Sequence, residues 1–199
     1  MSATSGAIYC YYRGSIKTID DAPPKGICGT GLFDIVAALL ADGTMDETGF
    51  LEQECFTVAP NVSLSRADIR QFQAAKSAIY AAIITLMQSR KISFDNIDKL
   101  FISGGFSAKI NLDHAVKTGI FPAQLRSKCV SLNNSSLLGT VKYACENNDL
   151  SAFIEKAEYI DLSANPMFTE LFIEKLETSK NGRCGCCLGR DIQRCKRKI

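Results

Sequence analysis

The sequence predicts an α/β fold in which a mixed β-sheet is flanked by helices. Two observations lead to this prediction: short β-prone runs alternate with helical patterns from Leu100 onward, and residues 66–89 have the period of one long amphipathic helix. At 199 residues the chain is long enough to bury a core. Its content of 46% hydrophobic and 22% charged residues is that of an ordinary globular protein.

A β-hairpin and a helix are predicted near the N-terminus. The β-prone residues 7–12 and 15–19 are separated by an Arg-Gly pair, which is typical of a tight hairpin turn. Two prolines then end the sheet, and the Gly-rich residues 26–31 open a helix that ends before Gly43.

The long helix over residues 66–89 begins with a capping signal. Ser65 followed by Asp68 resembles a capping box, in which the two side chains bind backbone N–H groups at the start of a helix. We assign a structural role to this helix. The apolar face that the pattern predicts for it consists of Ile69, Phe72, Ala75, Ile79, Ala82, Ile83 and Leu86.

Short strands and helices alternate along the rest of the chain. Strands are predicted at residues 99–103, 128–132 and 159–162. Helices are predicted at residues 112–117, from the 133–139 turn to about 145, at 151–157 and at 167–176. A short helical turn is predicted at residues 93–97. We expect the first two of these strands and the N-terminal hairpin to lie in one mixed sheet, with the long helix on its face.

Three glycine-rich or small polar segments are candidates for ligand binding. Gly104 and Gly105 follow a predicted strand, and Asn133 follows the next strand, which is where open α/β sheets bind ligands. The helix that starts after residues 26–31 would expose N–H groups to an anion. The alternatives remain open: a simple tight turn for the double glycine, and close packing against a neighbouring strand for the first segment.

Other reactive residues form no recognisable catalytic motif. His114 is the single histidine and has no nucleophile motif near it, so a surface or packing role is expected. The carboxylates of Asp34, Asp113 and Asp161 are interpreted as helix caps or solvated groups. Five of the nine cysteines are scattered through apolar patterns and are interpreted as reduced buried thiols, namely Cys10, Cys28, Cys55, Cys129 and Cys145.

The composition changes near Leu176. Residues 177–199 contain seven Lys and Arg against two acids, and four cysteines that could bind zinc or an iron–sulfur cluster: Cys184, Cys186, Cys187 and Cys195. Their spacing matches neither zinc ribbons nor ferredoxins. We therefore divide the chain into a domain at residues 1–176 and a basic tail at 177–199 that is expected to be disordered. Nucleic-acid binding by the tail is not favoured, because it has no aromatic residue to stack on bases.

The sequence contains no apolar run of the roughly 20 residues that span a bilayer. The N-terminal residues also have no basic leader or apolar secretory segment. We therefore expect a cytoplasmic protein without a membrane partner.

Five segments together resemble a known family. Residues 24–34, 100–107, 112–122, 134–139 and 157–168 are similar, in order and spacing, to the C-terminal domain of the reductive activators of corrinoid proteins. The resemblance implies one lobe of an actin-like (ribonuclease H-like) ATPase fold, related to sugar kinases and heat-shock ATPases. It further implies that ATP with Mg²⁺ drives electrons onto an inactive Co(II) corrinoid.

The resemblance also implies site residues and partners. The nucleotide-binding residues would be Gly104, Gly105, Phe106, Asn133, Asn134, Ser135 and Gly139, together with Gly29 and Gly31. We expect Gly105 to have positive φ and to lie against the ligand. The expected partners are a corrinoid protein and its methyltransferase, a further N-terminal ATPase lobe, and a ferredoxin domain that carries the family's iron–sulfur cluster.

Met1 aligns inside the family's domain, beyond its phosphate motifs, so a truncated or split protein is expected. For that reason we do not expect the isolated chain to hydrolyse ATP. Exposed apolar surface would favour a homodimer. Two alternatives remain: a non-enzymatic module that docks on a corrinoid protein or methyltransferase, and a metal or redox protein that uses the tail cysteines.

Overall fold

A computed structural model describes residues 1–176, except for residues 106, 108, 147 and 148. Within this part of the chain, seven strands and six α-helices are joined by loops and by 3₁₀ turns at Ile19–Asp21, Phe94–Asn96 and Ala123–Lys128. Phe106 and the four tail cysteines, Cys184, Cys186, Cys187 and Cys195, lie outside the described residues.

The first sheet is built on the predicted hairpin. Strands β1 (Ala7–Tyr12) and β2 (Ser15–Thr18) pair antiparallel, and Arg13 and Gly14 between them have φ of 48° and 84°. Two consecutive positive φ angles match the twist of the flanking strands, which confirms the hairpin. Strand β3 (Gly26–Ile27) then pairs parallel with β1, so that the strand order is β2-β1-β3.

Helix α1 (Gly29–Asp42) packs on β1 and supplies much of the main core. It ends at Gly43, whose φ of 80° is typical of a glycine that terminates a helix. Residues 26–31 were predicted to open this helix, but Gly26 and Ile27 form β3 and the helix begins at Gly29. Side chains of α1, of the segment that follows it, of the strand before the long helix and of the long helix itself form one buried cluster: Ile35, Val36, Leu39, Leu40, Met45, Leu51, Leu64, Ile69 and Phe72.

A second hairpin follows that the sequence reading missed. Strands β4 (Cys55–Ala59) and β5 (Val62–Ser65) pair antiparallel, and Asn61 in the turn has φ of 62°. The alternation of Phe56 and Val58 with polar residues, ahead of a Pro-Asn pair, is the signal that could have identified it.

Helix α2 (Arg66–Ser89) begins with the predicted capping box. The Asp68 N–H donates to Ser65 Oγ at 3.2 Å, and the Ser65 N–H donates to Asp68 Oδ2 at 2.9 Å. The predicted position of the helix is therefore confirmed, while the face that is buried differs from the predicted apolar face. It packs mainly against α6 (Pro166–Glu174), and its buried side chains are Ile69, Phe72, Gln73, Lys76, Ser77, Ala81, Ile84, Thr85 and Met87.

The second half contains the predicted strand–helix–strand unit. Strands β6 (Leu100–Ile102) and β7 (Cys129–Ser131) pair parallel, and α3 (Leu112–Lys117) lies between them in sequence. The side chain of Asn111 caps α3 by accepting the N–H groups of the second and third helical residues.

Two further helices, α4 (Ser135–Glu146) and α5 (Ser151–Ile154), precede α6, whose first helical residue is Pro166 after the Asn165 cap, as predicted. The strand predicted at residues 159–162 is wrong, since this segment is irregular. Tyr159, the first residue of this segment, is 90% exposed.

The expectation of one mixed sheet is also wrong. The described strands form three separate sheets, β2-β1-β3, β4-β5 and β6-β7. The expected packing of α2 on the hairpin sheet is likewise corrected, because α6 and β5 cover it instead. Sheets β2-β1-β3 and β6-β7 are separate, and residues of β3 and of β6 line one large cavity. No helix in the described part of the chain combines the length and apolarity needed to cross a bilayer.

Candidate functional site

The turn after β6 is open and glycine-rich. Gly104 has φ of 98°, a left-handed conformation that favours glycine, whereas Gly105 does not have positive φ, so that expectation is corrected. The Gly104 carbonyl accepts the Ser107 N–H at 3.1 Å. Among the described residues other than the immediate chain neighbours, no atom lies within 4 Å of the position that a Cβ would take at either glycine. The turn therefore leaves space directly beside its backbone.

The turn after β7 lies against this glycine turn. Ser103 Oγ donates to the Asn133 carbonyl at 3.2 Å and accepts the Ser135 N–H at 3.2 Å. Ser107 Oγ also donates to the Leu132 carbonyl. The structure thus brings the two predicted segments together at the carboxyl ends of two parallel strands, where α/β sheets bind ligands. Ser103 and Ser107 were not selected from the sequence, although they flank the double glycine.

Helix α4 starts at this junction. Asn134 Oδ1 accepts the Leu137 N–H at 3.1 Å and so caps the first turn. Gly139 lies one helical turn beyond Ser135, and in the described part of the chain no atom outside its own helical turn approaches its Cβ position within 4 Å. The N-terminus of α4 and its open glycine therefore continue the surface that the two turns form.

The glycines at the start of α1 have different surroundings. Gly29 lines a cavity of about 770 Å³ together with Thr30, Gly105 and Lys109. A Cβ at Gly31 would lie 2.3 Å from the Ile8 carbonyl oxygen of β1, so close packing accounts for this glycine. The structure thus places Gly29 near Gly105 and Gly31 against a strand, while a nucleotide contact for either stays a prediction.

The 770 Å³ cavity has both signs of charge on its wall. Lys109 Nζ lies 4.1 Å from the centre of the Tyr9 ring, a cation–π contact, and Asp20 and Asp21 line the same cavity. Both aspartates have positive φ, 61° and 49°. Sequence patterns missed Lys109 because it lies in the loop after the double glycine, where no period marks it.

His114 of α3 and the buried Asp34 of α1 form a hydrogen-bonded pair. His114 Nδ1 lies 2.6 Å from Asp34 Oδ1, and the Tyr11 N–H donates to Asp34 Oδ2 at 3.2 Å. Asp34 is therefore not the cap or solvated group expected. His114, for which a surface or packing role was expected, is partly exposed and pairs with Asp34. Burial, followed by the nearby charge of Asp34, raises the pKa of the Cys10 thiol, which disfavours the nucleophilic thiolate.

The other carboxylates named from the sequence have local roles. Asp113 pairs with Arg126 at 2.8 Å on the surface, and Asp161 accepts the Ser163 N–H at 2.9 Å. Among the residues that the structure describes, no three His, Cys, Asp or Glu side chains form a group that could hold a metal ion. The cysteines of residues 177–199 lie outside this description.

Comparisons with known proteins agree with this architecture. The family model for the C-terminal domain of RACo, its ASKHA domain, matches residues 1–183. The chain is 26% identical over 148 residues to the [Co(II) methylated amine-specific corrinoid protein] reductase of Methanosarcina barkeri, covering 74% of this chain and 27% of that protein. It is 23% identical over 209 residues to the corrinoid activation enzyme RamQ of Eubacterium limosum, covering 87% of this chain and 35% of that enzyme.

A solved structure shows the same fold. The reductive activator for a corrinoid, iron–sulfur protein superposes with a TM-score of 0.77 and 26% sequence identity, over 89% of this chain and 33% of that one. The chain thus spans about a third of the length of these relatives. With the family match covering most of its residues, this chain belongs to the family of corrinoid-protein reductive activators, in which it corresponds to the C-terminal actin-like ASKHA domain.

Proposed function

We propose that this chain supplies the adenosine-binding side of the nucleotide site in an ATP-dependent reductive activator of a corrinoid protein. The observation that supports this most is the junction at which the β6 and β7 turns meet beside the N-terminus of α4. Backbone at a glycine turn can approach a planar base or ribose closely, and the positive end of a helix dipole favours electronegative ligand atoms.

The residues at this junction fit a nucleoside. Gly104 and Gly105 leave open space, while Asn134 and Ser135 add amide and hydroxyl groups on the facing side. The phosphates would extend from Gly105 into the cavity that contains Lys109, whose ammonium attracts anions. When bound, Mg²⁺·ATP supplies the free energy that drives an electron onto the Co(II) corrinoid.

Isothermal titration with ATP, with and without Mg²⁺, tests this site. We expect weak binding that Gly105→Val abolishes, because the valine side chain would fill the space assigned to the ligand. Gly105 does not have positive φ, and no described residue other than its chain neighbours lies within 4 Å of its Cβ position, so the fold should tolerate this change. Ala67→Val, on the exposed start of α2, is the control. Equal ATP binding by Gly105→Val and the unaltered chain would contradict the adenosine assignment.

The proposed partners are a corrinoid protein, its methyltransferase, and the remaining parts of the activator, including an ATPase lobe and a ferredoxin domain with its iron–sulfur cluster. The length of the relatives supports the last two, since the chain covers about a third of each. A pull-down of the chain with the Co(II) form of a corrinoid protein would test direct docking. The α4 variant Leu138→Lys, described in the next paragraph, is the control.

The exposed face of α4 supports self-association of the isolated chain. Leu137, Leu138 and Val141 are 58%, 62% and 52% exposed, which is unusual for neighbouring large apolar residues. We propose a homodimer through this face. Light scattering should give a dimer mass for the chain and a monomer mass for Leu138→Lys, whereas a monomeric unaltered chain would contradict the proposal.

A further inference from the structure

A buried serine hydroxyl packs against the double glycine. Ser107 is 2% exposed, and its Oγ lies 2.9 Å from the Gly104 carbonyl oxygen and also contacts the Leu132 carbonyl oxygen. A serine hydroxyl has one proton to donate, so the two carbonyls share it. The Ser107 N–H donates to the Gly104 carbonyl as well, at 3.1 Å. The Gly104 carbonyl is therefore held by both donor groups of Ser107.

Ser107 is itself fixed by the end of β7. Ser131 Oγ donates to the Ser107 carbonyl, and the N–H of Leu132 donates to the Ile102 carbonyl of β6 at 2.8 Å. Ser107 is thus bonded to two consecutive residues of a segment that pairs with β6. A buried polar side chain whose hydrogen bonds are satisfied makes its surroundings rigid. Ser107 can therefore act as a firm support for the turn after β6.

The peptide group between Gly104 and Gly105 needs such a support. Glycine adopts positive and negative φ about equally readily, so a peptide group with glycine on both sides rotates at little cost. Gly104 nevertheless has one defined conformation, with φ of 98°. Among the described residues, the hydrogen bonds to the Gly104 carbonyl come from Ser107 alone. Ser107 therefore selects the orientation of this peptide group.

That orientation determines the direction of the Gly105 N–H. The C=O and N–H groups of a trans peptide point in opposite directions. Because the Gly104 carbonyl points at the buried Ser107, the Gly105 N–H points away from it, to the open side of the turn. This N–H has no acceptor among the described residues, and Gly105 lines the cavity that contains Lys109. An N–H donor near an ammonium group favours an anionic ligand atom.

We propose that Ser107 is a positioning residue of the nucleotide site. Its hydroxyl fixes the peptide group between Gly104 and Gly105, and so directs the Gly105 N–H at a phosphate of the bound nucleotide. Ser107 is buried and acts through the glycines, without touching the ligand. This inference rests on the proposed function, since it requires a nucleotide at this turn.

The test compares the binding of ATP and of adenosine by isothermal titration. Ser107→Ala removes the hydroxyl and leaves the backbone in place. Its affinity for ATP should fall about tenfold, the usual effect of losing a hydrogen bond to a charged group. Its affinity for adenosine, which has no phosphate, should not change. Ser131→Ala is the matched control, because it removes a serine hydroxyl from the same network without affecting a bond to the Gly104 carbonyl.

A second variant preserves the packing around residue 107. Ser107→Cys keeps a side chain of similar shape but replaces the hydroxyl by a thiol, which is a weak donor. It should fold like the unaltered chain and show the same selective loss of ATP affinity. In the absence of ligand, relaxation-dispersion NMR should detect conformational exchange at the Gly105 amide in both Ser107 variants and not in Ser131→Ala.

The outcomes separate positioning from a general effect on the fold. A loss for ATP alone, in both Ser107 variants and not in Ser131→Ala, supports the inference. Unchanged ATP affinity in Ser107→Ala overturns it. Equal losses for ATP and adenosine, or an equal loss in Ser131→Ala, also overturn it, because Ser107 would then only stabilise the domain. If the unaltered chain binds no ATP, the proposed function itself is contradicted, and this role of Ser107 with it.

Discussion

At the scale of single residues, Asp34 connects three elements. Its carboxylate lies on α1, accepts an N–H group of β1 and pairs with His114 of α3, and only 9% of the side chain is exposed. Removing a partner from a buried charged hydrogen bond costs more than the bond itself contributes, because the remaining group stays desolvated.

We predict that Asp34→Asn lowers the free energy of unfolding by about 2 kcal/mol, the usual value for a hydrogen bond to a charged group. Urea denaturation measures this. Asp113→Asn is the matched control, since its ion pair with Arg126 is largely exposed and should contribute less than about 1 kcal/mol. Equal effects of the two changes would show that Asp34 does not hold the elements together.

Two glycines predicted for the nucleotide site should respond oppositely to alanine. Gly31→Ala places a methyl group against the Ile8 carbonyl and should cost about 2 kcal/mol through strain, whereas Gly139→Ala meets no atom on an exposed helix and should stabilise by about 0.5–1 kcal/mol. Thermal unfolding compares the two. A tolerated Gly31→Ala would mean that close packing does not explain this glycine.

Residue types and their neighbours in sequence predicted the two turns that follow β6 and β7, and the structure brings these turns together. Their role in ligand binding stays a prediction. Gly104 and Asn133 follow strands, and strand ends carry a strong pattern. Lys109 reaches the cavity through a loop without periodicity, and the pairing of Asp34 with His114 joins residues 80 positions apart. Contacts of that kind depend on how the elements pack, which a local pattern does not encode.

At the scale of elements, helix starts were predicted best because their signals are local. The capping residues of α2, α3 and α6 each lie within three positions of the N–H groups that they bind. The buried face of α2 was partly wrong, since Ile79 and Leu86 are each 41% exposed. The side of an apolar helix that becomes buried depends on the element that packs against it, which for α2 is α6. The helical period alone does not identify that element.

The capping box predicts a pH dependence. Hydrogen bonds from Ser65 lower the pKa of Asp68 below its ordinary value of 3.8. Because the pKa of Asp68 is lower in the folded state than in the unfolded state, the ionised carboxylate contributes to the free energy of unfolding. This contribution is fully present above the unfolded pKa and is lost as the pH falls through the folded pKa. The stability difference between the unaltered chain and Asp68→Asn should therefore shrink between pH 5 and pH 2. Urea denaturation at several pH values measures it, and a constant difference would contradict the assignment.

At the scale of the whole molecule, the α/β class was predicted correctly and the single sheet was not. Alternating strand and helix patterns determine the fold class. Whether β3 and β6 share a sheet depends on long-range pairing that these patterns do not contain, and in this structure the two strands line a cavity instead of pairing. The resemblance to corrinoid activators came from several motifs in order, and the match over residues 1–183 confirms it.

We predict that the 199-residue chain binds ATP without hydrolysing it above background and does not reactivate a Co(II) corrinoid protein. Phosphoryl transfer depends on positioning and charge around the γ-phosphate. The proposed site holds the adenosine at the junction of the two turns, and the ammonium of Lys109 attracts the phosphates without fixing the γ-phosphate for transfer. A phosphate-release assay measures this, with hydrolysis expected to appear when the N-terminal region of a related activator is added. Robust turnover by the chain alone, lost in Gly105→Val, would contradict the prediction.

The separation in sequence of the paired strands affects the order of folding. Strands β1 and β2 are neighbours in the chain, as are β4 and β5, while β6 pairs with β7 over a distance of 29 residues, from Leu100 to Cys129. Pairing over a longer loop costs more chain entropy and is slower. The two hairpins should therefore form early, and the β6–β7 pair should form last and open first. A ligand bound at the ends of these two strands would contact both of them only when they are paired. Its binding would therefore stabilise the paired state of β6 and β7 against opening.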